Sequence, residues 1–288
     1  MKIVINGASG FLGKKLTKHF TDQGHDIIKV SRKHFKLNIH SFKELFRETD
    51  VLINLAGTPI VKRWTRSYTK KIYSSRIDTT KKIITAFTLL KDRPGLFISA
   101  SGTGIYQSNF NPHTEESKDF NNDNVSKLVE DWEEAISGVN NLVDVRLIIM
   151  RLSVIFDRNG GAFKKLLRPY YLGMGGRIGN GKQYFPLIHI DDVISSIDFF
   201  IENKTSSGIY NLSIPTPITN KELSKAIGKI FKVPSFMITP AFILKLIYGK
   251  GANALINGAN VVPQKLTQSG FIFKYPNIES LLLGLKKS

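Results

Sequence analysis

The chain contains no cysteine, which excludes both a disulfide framework and a thiol nucleophile. It also lacks an apolar run long enough to cross a bilayer. The greasiest stretch, residues 236–248, is too short and is interrupted by Pro240 and Lys245. No secretory pattern opens the sequence, because its first residues already read as a core strand. These absences lead to the expectation of a cytoplasmic protein with no membrane partner. Acidic residues are scarce: 23 Asp and Glu stand against 41 Lys and Arg, a formal net charge of +18. Such an excess invites a nucleic-acid reading. The cations are spread along helical faces, however, as at Lys14, Lys15, Lys18, Lys70, Lys71, Lys81 and Lys82, and are not massed in one tail or motif. No nucleic-acid partner is therefore expected, and part of the charge is left for an anionic cofactor or substrate. Histidines and carboxylates do not fall at metal-ligand spacing: the run from His189 to Asp192 lacks the H-E-x-x-H arrangement, and no metal is expected.

What is present begins at the first residue. Residues 2–6 are apolar and β-branched, as in a buried strand, and residues 11–23 read as a helix. Between them stand Gly7, Gly10 and Gly13, spaced G-x-x-G-x-x-G. A glycine turn between a first strand and a first helix lets a dinucleotide pyrophosphate approach the backbone, where free N–H groups and the helix dipole favour its charge. Further strands fall at 25–31, 50–54, 96–100 and 142–152. Helices fall between them at 42–47, 66–90 and 127–137. Alternation of this kind predicts an α/β fold, a doubly wound parallel sheet built from right-handed βαβ units. After residue 155 the strand rhythm weakens. The reading is a dinucleotide-binding domain over 1–155, joined by a strand at 209–212, and a smaller mixed substrate lobe over 156–288. Thr219 followed by Glu222 predicts a capping box, and Phe271 to Phe273 predicts a short strand.

The end of the second strand bears on the cofactor. An acidic residue there would bind the adenosine ribose hydroxyls of NAD. Here the strand runs into Ser31, Arg32 and Lys33, a hydroxyl and two cations that suit a 2′-phosphate, so NADP is favoured over NAD. A basic loop that merely follows a strand would admit either cofactor.

Several segments taken together resemble the extended short-chain dehydrogenase/reductases, a family that includes NAD(P)-dependent sugar epimerases and dehydratases. They are VINGASGFLG at 4–13, NLAG at 54–57, SASGTGIY at 99–106 and IHIDD at 188–192. TPIVKRWT at 58–65, SSRIDTT at 74–80, DWEEA at 131–135 and the run from Asn159 through IHIDDV narrow the match. So does VVPQKLTQSGFIFKYP, starting at Val261. The chain is similar to a subgroup of epimerase-like proteins with a characteristic C-terminal segment, and the similarity spans essentially its whole length. The resemblance implies that Gly7, Gly10 and Gly13 wrap the pyrophosphate with backbone contacts from Phe11 and Leu12. It also implies that Ala56 and Gly57 border the adenosine and ribose, that Ser101 holds a substrate oxygen, and that His189 lies near the substrate lobe.

One departure stands out. The family places a catalytic Tyr, with a Lys four residues on, in the helix that here carries DWEEA. Aligned on that segment, the two positions are Asn124 and Leu128, and neither side chain can do the work. Lys127 is one residue off and points about a hundred degrees round the helix. Tyr106 is the nearest replacement, as a proton donor or else as a half-buried aromatic. Arg63 and Arg76 are candidates to hold an anion, against the alternative of an ordinary charged helix face. The glycine-rich stretch 173–183 is expected to pass close to a ligand, with Arg177, Lys182 and Gln183 binding an acidic or hydroxyl-rich substrate. The function expected is NADP-dependent hydride transfer on a small hydroxylated metabolite, by a monomer or homodimer. The alternative is an NADP-binding protein that has lost catalysis.

Overall fold

The structure is a computed structural model that describes residues 1–287. Its centre is a six-stranded, wholly parallel sheet. Strand β1 (Lys2–Asn6) lies between β2 (Asp26–Val30) and β3 (Val51–Asn54). Beyond β3 come β4 (Leu96–Gly102), β6 (Arg146–Leu152) and β10 (Gly208–Leu212). Alternate residues serve opposite faces, as the two-residue period of a strand requires. Ile3, Ile5, Ile53, Ile98 and Ile148 face Leu12, Leu16 and Phe20 of α1 (Phe11–Asp22) and Val193, Ile197 and Phe200 of α7 (Ile190–Glu202). Val4, Leu52, Phe97 and Leu147 face the other way. They meet Phe42 of α2 (Ile39–Lys43), Ile83 and Phe87 of α4 (Thr79–Thr88), and Trp132 and Ile136 of α5 (Asn124–Ser137). The doubly wound parallel sheet expected from the sequence is the fold observed. The chain leaves β1 towards β2 on one side and returns to β3 on the other, so a crevice opens outside the C-terminal ends of these strands.

Three local readings are corrected. The single helix expected over 66–90 is α3 (Arg66–Tyr73), a π turn at Ser74–Asp78, and then α4. Hydroxyls cause the break. Ser75 Oγ donates to the Ile72 carbonyl at 2.9 Å, and Thr79 Oγ1 bonds the carbonyls of Ser75 and Arg76 at 2.9 and 3.0 Å, which competes with regular helical bonding. Helix α5 starts earlier than expected because Asp123 Oδ1 accepts from the N–H groups of Val125 and Ser126. The glycine-rich stretch is not all loop. Its middle forms β8 (Gly176–Ile178), paired with β11 (Met237–Thr239), and a Cβ on Gly176 would lie 1.7 Å from the Met237 carbonyl oxygen.

The second half packs its own core. Strand β7 (Val154–Asp157) pairs with β9 (Leu187–His189). Phe163 and Tyr170 of α6 (Gly161–Tyr171), Leu223 and Ile227 of α8 (Asn220–Phe231), and Leu281, Leu282 and Leu285 of α12 (Ile278–Lys287) close over Phe156 and Leu187. The capping box is formed: Thr219 Oγ1 accepts from the Glu222 N–H, and Glu222 Oε2 accepts from the Thr219 N–H. Near the end of the chain come α9 (Ala241–Tyr248), α10 (Asn253–Ile256), β12 (Asn260–Val261), which pairs with β5 (Pro112–His113), and α11 (Gln264–Gln268). Phe271 to Phe273 form no strand. Phe271 instead packs edge-on against Phe199 and Phe273. Among the described residues no helix is long and apolar enough to cross a membrane.

The first turn sets a strict steric limit. A Cβ on Gly13 would lie 2.3 Å from the Gly7 carbonyl oxygen. Gly13→Ala is therefore expected to lower the unfolding free energy by about 1–3 kcal/mol through overpacking, as read from the urea denaturation midpoint.

Candidate dinucleotide and substrate site

Gly7 has φ of +88°, in the region that favours glycine, and its N–H reaches the Val30 carbonyl at 3.3 Å. Gly10 caps α1 without a side-chain bond, and no acid stands in the first turn of the helix. The early N–H groups, those of Phe11 and Leu12 among them, have no intrahelical acceptor. A Cβ on Gly7 would lie 3.0 Å from the Ala56 nitrogen, so the turn lies directly against the loop after β3. Gly7, Gly10, Gly13, Phe11, Leu12, Ala56 and Gly57 thus share one edge of the crevice. The Phe11 ring packs on Gly160 and Gly161 from the second half. An amide-lined, acid-free turn with no side chain across it fits a dinucleotide pyrophosphate. Ser31, Arg32 and Lys33 follow β2, whose Val30 pairs with Asn6 at the end of β1. The Ser31 N–H donates to His34 Nδ1 at 3.0 Å, while Arg32 and Lys33 are exposed.

At the end of β4, Ser101 Oγ donates to Glu133 Oε1 of α5 at 2.5 Å. Glu133 is clamped by Arg151 of β6, Nε to Oε1 at 2.8 Å and Nη2 to Oε2 at 2.7 Å. Arg151 Nη1 continues to the Tyr106 hydroxyl at 2.7 Å. That hydroxyl donates onward towards Asn211 Oδ1 at 2.8 Å, with the Thr114 carbonyl at 3.0 Å. Burial alone would lower the pKa of Arg151, but the hydrogen bonds and charge of Glu133 outweigh it and raise it. Burial raises the pKa of Tyr106 against the opposing pull of Arg151. With 2% of its surface exposed and its hydroxyl surrounded by partners, Tyr106 is a positioning group in this geometry, not an open proton donor. Glu133 was missed by the sequence reading, although it lies within the DWEEA signature. Its significance depends on which turn of α5 faces Ser101.

The positions of the absent pair are equally defined. Leu128 is fully buried among Trp64, Ile72 and Val125. Lys127 points outward and pairs with Asp131 at 2.8 Å. Asn124 Oδ1 accepts from Lys250 Nζ at 3.2 Å.

The residues expected to hold substrate are divided. Lys182 and Gln183 line a cavity of about 320 Å³ with Ser108, Asn109, Phe110 and Tyr184. The stretch just after Tyr106 contributes to this cavity, while Ser101 and Tyr106 do not. Gln183 Nε2 donates to the Ile178 carbonyl at 3.1 Å. Arg177 is half-buried, with no hydrogen-bond partner for Nε, and its stem packs beside Gly181. His189 caps α7 by accepting the Asp191 N–H at Nδ1, 3.1 Å away, and its ring centre lies 4.0 Å from that of Tyr275. Burial lowers its pKa, and Nε2 has no partner. Among the described residues no cluster of three or more His, Asp or Glu is placed to hold a metal ion.

Removing one member of a buried ion pair leaves the other uncompensated, at a cost of about 3–5 kcal/mol. Arg151→Met is expected to destabilise the protein by about that much. The double change Arg151→Met with Glu133→Leu should recover most of the loss in the same denaturant titration.

Comparison with known proteins agrees with this architecture. Residues 3–213 match the NAD dependent epimerase/dehydratase family, and residues 239–283 match a domain of unknown function, DUF1731. The chain is 32% identical to the mouse epimerase family protein SDR39U1 and 30% identical to epimerase family protein YfhF of Bacillus subtilis. The first match covers 98% of both chains, the second 99% of this chain and 98% of YfhF. The crystal structure of human SDR39U1 isoform 2, determined with NADPH, superposes with a TM-score of 0.91 at 28% identity over 100% of both chains. A nucleoside-diphosphate sugar epimerase from Corynebacterium glutamicum shares the fold, with a TM-score of 0.79 at 23% identity. That match covers 98% of this chain and 57% of the other. With most of its length matched by the family and its curated relatives aligned end to end, the chain belongs to the NAD dependent epimerase/dehydratase family.

Proposed function

We propose that the chain is an NADP(H)-dependent oxidoreductase or epimerase acting on a small, hydroxylated, sugar-like or anionic metabolite. The observation that carries this reading is the amide-lined turn at Gly7, Gly10 and Gly13, with two exposed cations, Arg32 and Lys33, and no acid where β2 ends. The NADPH in the human relative's crystal structure is in keeping with it. Residues 1–155 with strand 209–212 hold the dinucleotide, and 156–288 receive the substrate. The protein acts in the cytoplasm as a monomer or homodimer.

When bound, a nicotinamide supplies the hydride donor or acceptor. The chain's own groups do the rest. The Ser101 hydroxyl gives its proton's hydrogen bond to Glu133, which leaves its lone pairs to accept from a substrate hydroxyl. A proton leaving that hydroxyl passes through Ser101 to Glu133, the carboxylate that stands in for the missing Tyr as acid and base. Arg151 fixes the carboxylate, and Tyr106 fixes Arg151. Lys182, Gln183 and Arg177 bind the substrate's anionic or hydroxyl groups, and His189 orders the start of α7. A second reading, an NADP-binding protein without turnover, is favoured by one observation: Leu128 is buried in apolar surroundings where the family's Lys would stand.

Calorimetric titration with NADPH and NADH tests the cofactor. Tighter NADH binding would reject NADP, and no binding of either would reject the dinucleotide reading. Arg32→Glu should weaken NADPH by about 1–3 kcal/mol and NADH by much less. A screen of sugars, ketones and aldehydes for NADPH consumption, paired with a product assay for epimerisation, tests turnover. Ser101→Ala and Glu133→Gln should each lower kcat by about a hundredfold or more while leaving NADPH affinity in place. Tight NADPH binding without turnover on any substrate would select the second reading.

A further inference from the structure

The most apolar stretch of the sequence, residues 236–248, ends in a helix that turns its apolar side outward. In α9, Phe242, Ile243, Leu246 and Ile247 fall at i, i+1, i+4 and i+5, on one face. That face is the exposed one: Phe242 keeps 68% of its surface in solvent and Leu246 72%. No residue of α9 is buried, and Lys245 is its only charge. A surface helix ordinarily points its apolar stripe at the core and its charges at water. Two adjoining segments repeat the inversion. Phe236, 76% exposed, and Ile238 stand out at β11, and Tyr171, Leu172 and Met174 stand out where α6 ends. The Gly175 carbonyl accepts from the Met237 N–H at 3.1 Å, which joins the end of α6 to β11. The chain then runs from β11 through Pro240 into α9, where the Pro240 carbonyl accepts from the Ile243 N–H at 3.1 Å. A contiguous exposed apolar face of this kind marks an interaction surface.

The charge around the face is of one sign. Between Asp157 and Asp191 the sequence has no Asp or Glu and six Lys and Arg. Between Glu222 and Glu279 it again has none, with seven Lys. Arg168 of α6, Lys232 just after α8 and Lys245 of α9 are exposed, and none of them pairs with a carboxylate among the described residues. Beyond the far end of α9, a Cβ on Gly249 would lie 3.8 Å from Arg63 Cγ. Arg63 is exposed there and adds a further cation to the rim.

The occupant of such a face has to be apolar at its centre and anionic around it. A second copy seated about a two-fold axis would bring these cations against themselves. Protein interfaces are depleted in lysine and carry about one hydrogen bond per 100–200 Å², whereas the Phe, Ile and Leu side chains between these lysines have no polar atom to offer. An anionic bilayer supplies acyl chains for the protruding apolar groups and phosphates for the cations, with no demand for directional pairing. We propose that the face formed by α9, β11 and the end of α6 docks the protein on an anionic lipid bilayer. Phe236, Phe242 and Leu246 enter the headgroup region, and Arg63, Arg168, Lys232 and Lys245 meet lipid phosphates. The contact lies on the surface and spans nothing. The lack of a spanning run, from which no membrane partner was expected, does not bear on it.

Flotation of the full chain with lipid vesicles tests the assignment. Vesicles of phosphatidylcholine with about one-third phosphatidylglycerol should bind it at least about tenfold more strongly than phosphatidylcholine alone, and about 0.5 M salt should release most of it. Phe242→Ser with Leu246→Ser should lower partitioning onto the mixed vesicles by about tenfold or more. Lys232→Glu with Lys245→Glu should lower it at least as far. Lys14→Glu with Lys18→Glu removes the same charge from α1, on another face, and should change partitioning by no more than about threefold. No binding to the mixed vesicles, equal binding to phosphatidylcholine alone, or an equal loss in the α1 pair overturns the proposal. So does binding that the serine pair leaves unchanged. Should the serine pair melt below the parent, the Lys232 and Lys245 reversals decide in its place. Self-association that the serine pair abolishes, with vesicles unbound, assigns the face to a second copy and overturns the proposal. Binding of polyglutamate that needs Lys232 and Lys245, again with vesicles unbound, assigns it to an acidic protein and overturns the proposal as well.

Discussion

The ion pair between Arg151 and Glu133 organises the C-terminal edge of the sheet around Ser101. It joins β6 to α5 across β4, and three other groups take their positions from it. Ser101 has its hydroxyl drawn to one carboxylate oxygen, Tyr106 is held by the remaining guanidinium N–H, and Asn211 of β10 is reached through Tyr106. Burying two charges is costly, and the cost is offset only when geometry is good and the spare donors find acceptors. Here both carboxylate oxygens and all three guanidinium nitrogens are engaged. The arrangement therefore defines one alignment of β4, β6 and α5, and with it one orientation of the Ser101 lone pairs.

The fold was readable where one local rule dominated. The unbroken apolar run of Ile3, Val4 and Ile5 marked a buried strand, and the glycines at 7, 10 and 13 marked the turn. Both are short-range effects of sterics and burial. Reading failed where long-range pairing decided. Gly176 to Ile178 looks like flexible loop until Met237 to Thr239, far along the chain, supplies the partner strand. Phe271 to Phe273 has strand composition, but aromatic packing and the Asp192 carboxylate take its neighbourhood instead: Asp192 accepts from the N–H groups of Lys274 and Tyr275.

The site follows the same division. The glycine turn was visible in spacing, and the absence of the Tyr-Lys pair followed from the family resemblance aligned on DWEEA. Glu133 was not, because DWEEA offers four acidic or aromatic candidates on one helix and only the crossing of α5 over β4 selects among them. Tyr106 and Ser101 look alike in sequence, two hydroxyls in one loop. Both are buried, and their partners separate them: the Tyr106 hydroxyl meets Arg151, Asn211 and the Thr114 carbonyl, and the Ser101 hydroxyl meets Glu133. Arg76 lies in a run that reads as continuous helix, and its inward aim comes from the π turn that Ser75 and Thr79 create.

Losing a Tyr-Lys pair removes a proton carrier and a fixed cation from the same place. In this chain the α5 face at Leu128 is apolar, so the cation cannot be restored there without unpacking the contact with Ile72 and Trp64. In the proposed enzyme the two functions come from other elements. A carboxylate five residues further along α5 lies against Ser101, and a guanidinium on the facing π turn lies against Gly57. Both are held by partners within the protein: Glu133 by Arg151, Arg76 by the face of Trp132. Separating the proton acceptor from the cation has a chemical consequence. In a Tyr-Lys pair the cation depresses the very group that carries the proton. Here the Arg76 guanidinium lies beside the loop after β3 and the Glu133 carboxylate beside Arg151, so the two can be altered independently.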